Sequence, residues 1–98
     1  MEDFVSSGCK AIEEERKRQI EVEHYTIEHD KNELIENLIW AATTYATGCR
    51  RFWPWDIKCY KPGDLTIKGV RKDLVRAGAL IAAAIDKIDR GETAELEP

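Results

Sequence analysis

Apolar residues recur every three to four positions in three separate stretches of the chain, which is the period of an amphipathic α-helix. The pattern predicts helices over residues 3–24, 33–47 and 68–90. Gly48 and Gly91 follow the second and third stretches, and glycine commonly ends a helix. The sequence therefore predicts an all-α, three-helix domain with a long loop between helices 2 and 3.

The apolar face of the first predicted helix is interrupted by polar residues. Its stripe comprises Val5, Cys9, Ile12, Arg16, Gln19 and Ile20. A half-buried charge must be paired, so we expect a carboxylate from another segment to meet Arg16. The alternative is a half-exposed helix on which Arg16 reaches water. The opposite face carries charges at i,i+4 spacing, which predicts a solvated surface. Its pairs are Glu13–Lys17 and Glu14–Arg18.

The stripes of the other two helices predict the core. On the second helix they are Leu34, Leu38, Ala41, Ala42 and Tyr45, broadened by Ile35, Ile39 and Ala46. On the third helix they are Val70, Leu74, Ala77, Ile81, Ala84 and Ile88. The run 77–84 also holds many Ala and Gly, and such small residues allow close helix approach within one chain or between two chains.

The loop over residues 50–62 holds two of the three Trp. Pro54 prevents a continuous helix here and favours an extended conformation at Trp53. A loop this aromatic is typical of ordered rather than disordered chain. Two interpretations remain open. The rings either cap the end of a thin core or line a pocket.

Composition limits the possible functions. The chain has 98 residues and a net charge of −4, so we expect one helical domain over 1–91, an acidic frayed tail over 92–98 and no long nucleic-acid partner. A domain this small is marginally stable, which favours a homo-oligomer. No apolar run reaches the ~20 residues of a membrane span. Three cysteines without a CxxC pair and an acidic start indicate a cytoplasmic protein.

Basic and aromatic residues alternate in the loop, and more basic residues open the third helix. Aromatic rings stack bases while Arg and Lys hold phosphates, which predicts a site for a small nucleotide. The candidate ligand-binding residues are Arg16, Gln19, His29, Arg50, Arg51, Trp53, Trp55, Asp56, Arg71 and Arg76. The alternatives are a solvated basic rim and a network of structural ion pairs. No residue is assigned a catalytic role.

Two acidic pairs at i,i+3 spacing give an enzymatic alternative. Glu33 with Glu36, and Asp86 with Asp89, could face each other across the bundle and hold Mg²⁺. Residues 33–40 resemble the second helix of all-α nucleotide pyrophosphohydrolases of the MazG and dUTPase kind. The competing interpretation is a pair of solvated faces, and outside this alternative no cofactor is expected. A zinc site from His24, His29, Cys49 and Cys59 matches no familiar spacing, and no cysteine nucleophile is favoured.

Several runs of the sequence together resemble a family of small uncharacterised proteins of tailed phages and prophages. They are Glu15-Arg16-Lys17-Arg18-Gln19-Ile20, Tyr25-Thr26-Ile27-Glu28-His29-Asp30, Glu33-Leu34, Trp53-Pro54-Trp55-Asp56, Lys61-Pro62 and the run 71–81, Arg-Lys-Asp-Leu-Val-Arg-Ala-Gly-Ala-Leu-Ile. The resemblance implies a phage accessory role in the host-cell cytoplasm, such as counter-defence or host takeover. It brings no established reaction.

Three functional hypotheses follow from these patterns. The first is a phage accessory protein that binds a small anionic, nucleotide-like ligand without turnover. The second is a stoichiometric inhibitor of a host defence protein, with the aromatic loop as its contact surface. The third is a Mg²⁺-dependent nucleotide hydrolase that uses Glu33, Glu36, Asp86 and Asp89.

Overall fold

The computed structural model describes residues 5–21 and 34–92. In these ranges the chain forms helices α1 (Ser7–Glu21), α2 (Ile35–Thr47) and α3 (Ile67–Asp89). Two single 3₁₀ turns, Arg50–Phe52 and Ile57–Cys59, lie between α2 and α3, and no strand occurs in the described part. The predicted all-α, three-helix fold with its aromatic loop is confirmed. His24, His29, Glu33 and the tail beyond residue 92 lie outside the described residues.

Local chemistry sets the helix boundaries near the loop. Gly48 adopts a left-handed conformation (φ 76°), and its N–H donates to the carbonyl of Thr44 at 2.7 Å, so it ends α2 as predicted. The hydroxyl of Thr66 accepts a hydrogen bond from the backbone N–H of Gly69 at 3.1 Å and caps α3. Gly91, at φ 77°, follows the last turn of α3.

The core lies mainly between α2 and α3 and consists largely of small residues. Its buried members are Ile35, Leu38, Ala41, Ala42, Tyr45, Ala77, Leu80, Ala83 and Ala84. Alanines on both helices let the two backbones approach closely. On another side of α3, Gly78 lies against Ile12 of α1, where a Cβ at position 78 would overlap the isoleucine side chain. Helix α3 is therefore the central element, with α1 and α2 packed on different sides.

The predicted core stripe of α3 is wrong at its larger residues. Val70, Leu74, Ile81 and Ile88 are 44% to 52% exposed. The buried face instead carries Ala77, Leu80, Ala83, Ala84 and Lys87. The alanine-rich face packs inside the chain because its small side chains permit the closest helix contacts. The branched side chains are left on a different, half-exposed face.

The first two helices match their predicted stripes only in part. In the first stripe Gln19 is buried as predicted, at 4% exposure, but the apolar ends Val5 and Ile20 are exposed. In the second stripe, Leu34 and Ile39 are 43% and 48% exposed. Its other large or central members are buried as predicted: Ile35, Leu38, Ala41, Ala42 and Tyr45. The helical period is right in both cases. The buried sector is set by the neighbouring helices, which periodicity does not reveal.

The carboxylate predicted to meet Arg16 is found on α3. The Nε of Arg16 donates to Oδ2 of Asp86 at 3.4 Å, and the arginine side chain is only 12% exposed. This ion pair links α1 to the last third of α3. A partly buried guanidinium retains its charge through such a partner.

Candidate ligand-binding site

The Trp-Pro-Trp-Asp run folds back on itself. Trp53 is extended (φ −65°, ψ 120°), as expected for a residue before proline. Its indole Nε1 donates to the carbonyl of Asp56 at 2.9 Å. The Asp56 carboxylate in turn accepts from the backbone N–H of Lys58 at 3.0 Å and caps the second 3₁₀ turn. These two bonds fix the direction of the Trp53 ring.

An aromatic cluster docks this loop onto α2. The Trp53 ring lies edge-on to Tyr45 (5.5 Å between centroids, 89° between planes) and to Trp55 (5.2 Å, 88°). Tyr60 lies 5.1 Å from both Trp53 and Tyr45. Trp53, Trp55 and Tyr60 are half-buried and pack against the core. Edge-to-face pairs of this kind add stability beyond the area that they bury.

The backbone of Lys61 is held from two helices. The Tyr45 hydroxyl on α2 accepts from the N–H of Lys61 at 3.1 Å, and Arg76 on α3 donates through NH1 to the carbonyl of Lys61. The Arg76 guanidinium also lies 5.7 Å above the Tyr45 ring and 3.7 Å from Oδ1 of Asp73. The far end of the loop is thereby placed next to the aromatic cluster.

A cavity of about 270 Å³ opens between α1, the aromatic loop and α3. It is lined by Glu15, Arg18, Gln19, Tyr45, Trp53, Trp55, Cys59, Lys61, Arg76 and Leu80. Three of these side chains are cationic and one is a carboxylate, so the lining carries a net positive charge in an acidic protein. The two indole rings give the same cavity an aromatic wall. Both interpretations of the aromatic loop therefore hold, since Trp53 and Trp55 pack against the core and also line a cavity.

Glu15 organises the α1 side of the cavity. Its two oxygens accept from Nε and NH2 of Arg18, each at 2.8 Å, and Oε2 also accepts from Nε2 of Gln19 at 3.2 Å. Burial by itself raises the pKa of Glu15, but the bonds and charge of Arg18 outweigh it and hold that pKa below the usual value. Glu15 is therefore ionised at neutral pH.

The amide of Gln19 leaves one buried acceptor at this wall. Because a carboxylate only accepts, the bond to Glu15 assigns the nitrogen of the amide and leaves Oε1 on the other side. Among the described residues, no donor reaches Oε1, although the atom is buried. A buried acceptor without a donor costs free energy, so a polar ligand group that reached it would gain a favourable contact.

A second cavity of about 360 Å³ lies on the other side of Tyr45 and Tyr60. Arg50, Gly63, Asp73 and Leu74 contribute to its wall. The Asp73 carboxylate accepts from the backbone N–H of Gly63 at 2.8 Å. Its charges are therefore Arg50 and the two carboxylates of Asp64 and Asp73, both of which already accept hydrogen bonds, and it has no tryptophan in its lining.

The structure brings together four of the predicted ligand-binding residues, Gln19, Trp53, Trp55 and Arg76, around the first cavity. Arg50 lines the second cavity. The other described candidates line neither cavity. Arg16 pairs with Asp86, and the Arg51 guanidinium lies 6.0 Å above the Phe52 ring. Asp56 caps the second 3₁₀ turn, and Arg71 is exposed on α3. His29 lies outside the described residues.

The sequence-based prediction missed most of the charged residues that line the first cavity. Arg18 was assigned to a solvated face, paired with Glu14, but it bonds to Glu15 and lines the cavity. The pair Glu13–Lys17 does form, at 3.5 Å. Lys61 was one of the alternating basic residues of the loop but was not among the candidate ligand-binding residues, and Cys59 was considered only for zinc binding or as a nucleophile. The sequence signal for Glu15 was its spacing from Arg18 at i,i+3 and from Gln19 at i,i+4, which suits a structural ion pair.

The residues of the metal alternatives are only partly described. Asp86 is engaged with Arg16, and Glu36 is exposed at the start of α2. Within residues 5–21 and 34–92, no three His, Cys, Asp or Glu side chains group to hold a metal ion. None of the three cysteines forms a disulfide.

Comparison with known proteins gives no relative for this chain. No family model matches it, and neither a curated protein nor a solved structure does. No helix in the described part is long and apolar enough to cross a membrane.

Proposed function

We propose that this protein binds a small anionic, nucleotide-like ligand without turning it over. The observation that supports the proposal is the lining of the 270 Å³ cavity, where two tryptophans stand beside three cationic side chains. Ligand pockets usually measure ~300–1,000 Å³. A cavity near the lower limit suits one base with its sugar, and a dinucleotide would extend into solvent.

Each part of such a ligand has a matching partner. The base would lie against Trp55, with Trp53 edge-on beside that ring, since stacking on an aromatic ring suits every base. The phosphate would lie near Lys61, with Arg18 and Arg76 adding positive charge. Oε1 of Gln19 would accept from an amino group of the base.

The state of Glu15 favours binding over chemistry. It is the carboxylate of this cavity, and both of its oxygens already accept hydrogen bonds from Arg18 and Gln19. Its pKa lies below the usual value, whereas a general base at neutral pH needs a raised one. Glu15 therefore acts as a positioning group for the cationic wall.

The biological setting is part of the same proposal. A role in phage counter-defence or host takeover, in the host-cell cytoplasm, rests on the resemblance of the sequence to tailed-phage proteins. A binder without turnover would act by sequestering its ligand.

The test is calorimetric titration and thermal shift with AMP, GMP, UMP, ATP and 3′,5′-cyclic AMP, each with and without Mg²⁺. Chromatography of the mixtures would detect turnover. We expect at least one nucleotide to bind intact. Trp55→Leu should weaken that binding about 5- to 150-fold, the value of one stacked ring at ~1–3 kcal/mol, and Lys61→Gln should weaken it less.

Matched controls separate the site from general stability. Trp40→Leu removes a tryptophan that stacks on Phe52 at 5.3 Å, away from the cavity lining, and Lys58→Gln removes a charge from the same loop. Both variants should bind as the wild type does. If no nucleotide binds at 1 mM, or if Trp55→Leu binds normally, the proposal is wrong. Consumption of a nucleotide would favour the hydrolase alternative.

One observation favours a second candidate, the stoichiometric inhibitor, with its contact surface on α2 and not in the aromatic loop. Trp40 and Ile39 are 44% and 48% exposed on α2, and exposed tryptophans often act as hot spots for protein partners. This candidate predicts that Trp40→Leu abolishes capture of a host protein while Trp55→Leu retains it. Trp55→Leu is therefore the sensitive variant for nucleotide binding and the control for the inhibitor, and Trp40→Leu has the opposite roles.

A further inference from the structure

Helix α3 carries a stripe of half-exposed aliphatic side chains that no described element covers. Its members are Ile67, Val70, Leu74, Ile81, Ile85 and Ile88, each between 44% and 87% exposed. Four of them, at positions 67, 74, 81 and 88, repeat every seven residues, the spacing of a helix–helix seam. The stripe extends over about 32 Å at 1.5 Å per residue. A continuous apolar stripe of this length marks an interaction surface.

The order of residues in the stripe is symmetric about its midpoint. The stripe residues form three pairs whose members lie at equal distances on either side of the point between Ala77 and Gly78. The pairs are 67 with 88, 70 with 85, and 74 with 81. When two copies of α3 run antiparallel, each large side chain therefore meets another one in the partner. Ile67 would meet Ile88, Val70 would meet Ile85 and Leu74 would meet Ile81. Ala77 and Gly78 flank the crossing point and already pack against α2 and against Ile12 of α1, so no large side chain separates the two helices there.

Charge along α3 favours the same arrangement. The exposed residues Lys68, Arg71 and Lys72 make the first turns basic. The last turns carry the exposed Asp89 and also Asp86, which pairs with Arg16, while Lys87 and Arg90 of the same turns pair with Glu92. Arg71 and Asp89 are 18 residues apart, which is five full turns, so they lie on the same flank of the stripe. An antiparallel partner would bring the basic end of one helix beside the acidic end of the other. A parallel partner would place like charges together.

We propose that the α3 stripe binds a second copy of this chain in an antiparallel, two-fold symmetric dimer. The axis passes between Ala77 and Gly78, and the contact is isologous, since the same patch serves on both chains. The acidic residues at the C-terminal end argue against an anionic membrane surface as the occupant. This proposal is independent of the nucleotide site, because none of the six stripe residues lines the tryptophan cavity.

Light scattering after size exclusion measures the assembly directly. At about 100 µM we expect twice the chain mass of 11.2 kDa. Ile81→Glu should raise the dimer dissociation constant more than about a hundredfold, because it places an unpaired charge in the seam twice per dimer. Ile57→Glu is the matched control, since Ile57 lies in the loop and is similarly exposed, at 46% against 49%. Circular dichroism should show unchanged helicity in both variants.

Charge reversal tests the orientation with less risk to folding. Arg71→Glu and Asp89→Arg should each raise the dissociation constant about tenfold. The double variant should restore it, because a positive and a negative charge are then again present, with their positions exchanged. A monomer at 100 µM overturns the proposal. So does an assembly of any size that Ile81→Glu leaves intact, or one in which neither reversal weakens association.

Discussion

The hydroxyl of Tyr45 accepts a hydrogen bond from the backbone N–H of Lys61, 16 residues further along the chain, at 3.1 Å. This contact joins α2 to the end of the aromatic loop. Since Arg76 donates to the carbonyl of the same residue, both backbone groups of Lys61 are satisfied by side chains from different helices. The position of the loop is therefore specified by individual polar bonds as well as by aromatic packing.

Replacing Tyr45 by Phe tests this contact. The Lys61 N–H would lose its acceptor, so we expect the free energy of unfolding in urea to fall by about 1 kcal/mol. Tyr60→Phe is the control, because within the described residues the Tyr60 hydroxyl makes no such bond. An equal loss in both variants would mean that ring packing alone holds the loop.

Glu15→Gln should make the free energy of unfolding depend less on pH in the acidic range. Burial opposes ionisation, but Arg18 outweighs it and lowers the folded-state pKa of Glu15 below 4.5. A lowered pKa gives stability that is present above about pH 4.5 and is lost as the pH falls through the folded-state pKa. Urea melts from pH 7 to pH 3 should therefore show a smaller loss for Glu15→Gln than for wild type. Glu14→Gln, at an exposed neighbour, should retain the wild-type slope.

Gly78→Ala should destabilise the protein although alanine favours helix. The new methyl group would overlap Ile12 of α1, and overpacking costs about 1–3 kcal/mol against a helix-propensity gain of about 1 kcal/mol. Adding Ile12→Val removes the overlapping Cδ1 and should recover part of the loss. Gly8→Ala is the contrasting variant, since among the described residues its Cβ would meet only Ser6 Oγ, at 3.9 Å, and thermal melting should show a gain in stability.

Thr66→Ala should weaken the start of α3. The hydroxyl that accepts from Gly69 N–H would be lost, which costs about 1 kcal/mol at a helix N-cap. Thr66→Ser retains the acceptor and should melt close to wild type. A serine variant as unstable as the alanine variant would show that the threonine methyl group, and not the cap, supports this turn.

The sequence was sufficient for the main features that depend on neighbouring residues, although it missed the local pair of Arg18 with Glu15. The helical period identified three helices, Gly48 marked the end of α2, and Pro54 marked an extended Trp53 within a loop. The need of a half-buried arginine for a carboxylate was also predicted correctly, because the cost of an unpaired buried charge holds in any fold. Which carboxylate would satisfy Arg16 was not predictable, since Asp86 lies 70 residues away.

Tertiary structure alone decided which face of α3 is buried. The sequence of α3 presents an alanine-rich face and a branched aliphatic face, and hydrophobicity favours the second as core. The alanine-rich face is buried because two helices can approach most closely there, and the branched face remains available. The cavity arose in the same way: Glu15, Arg18 and Lys61 became its wall only when α1, the loop and α3 were packed together.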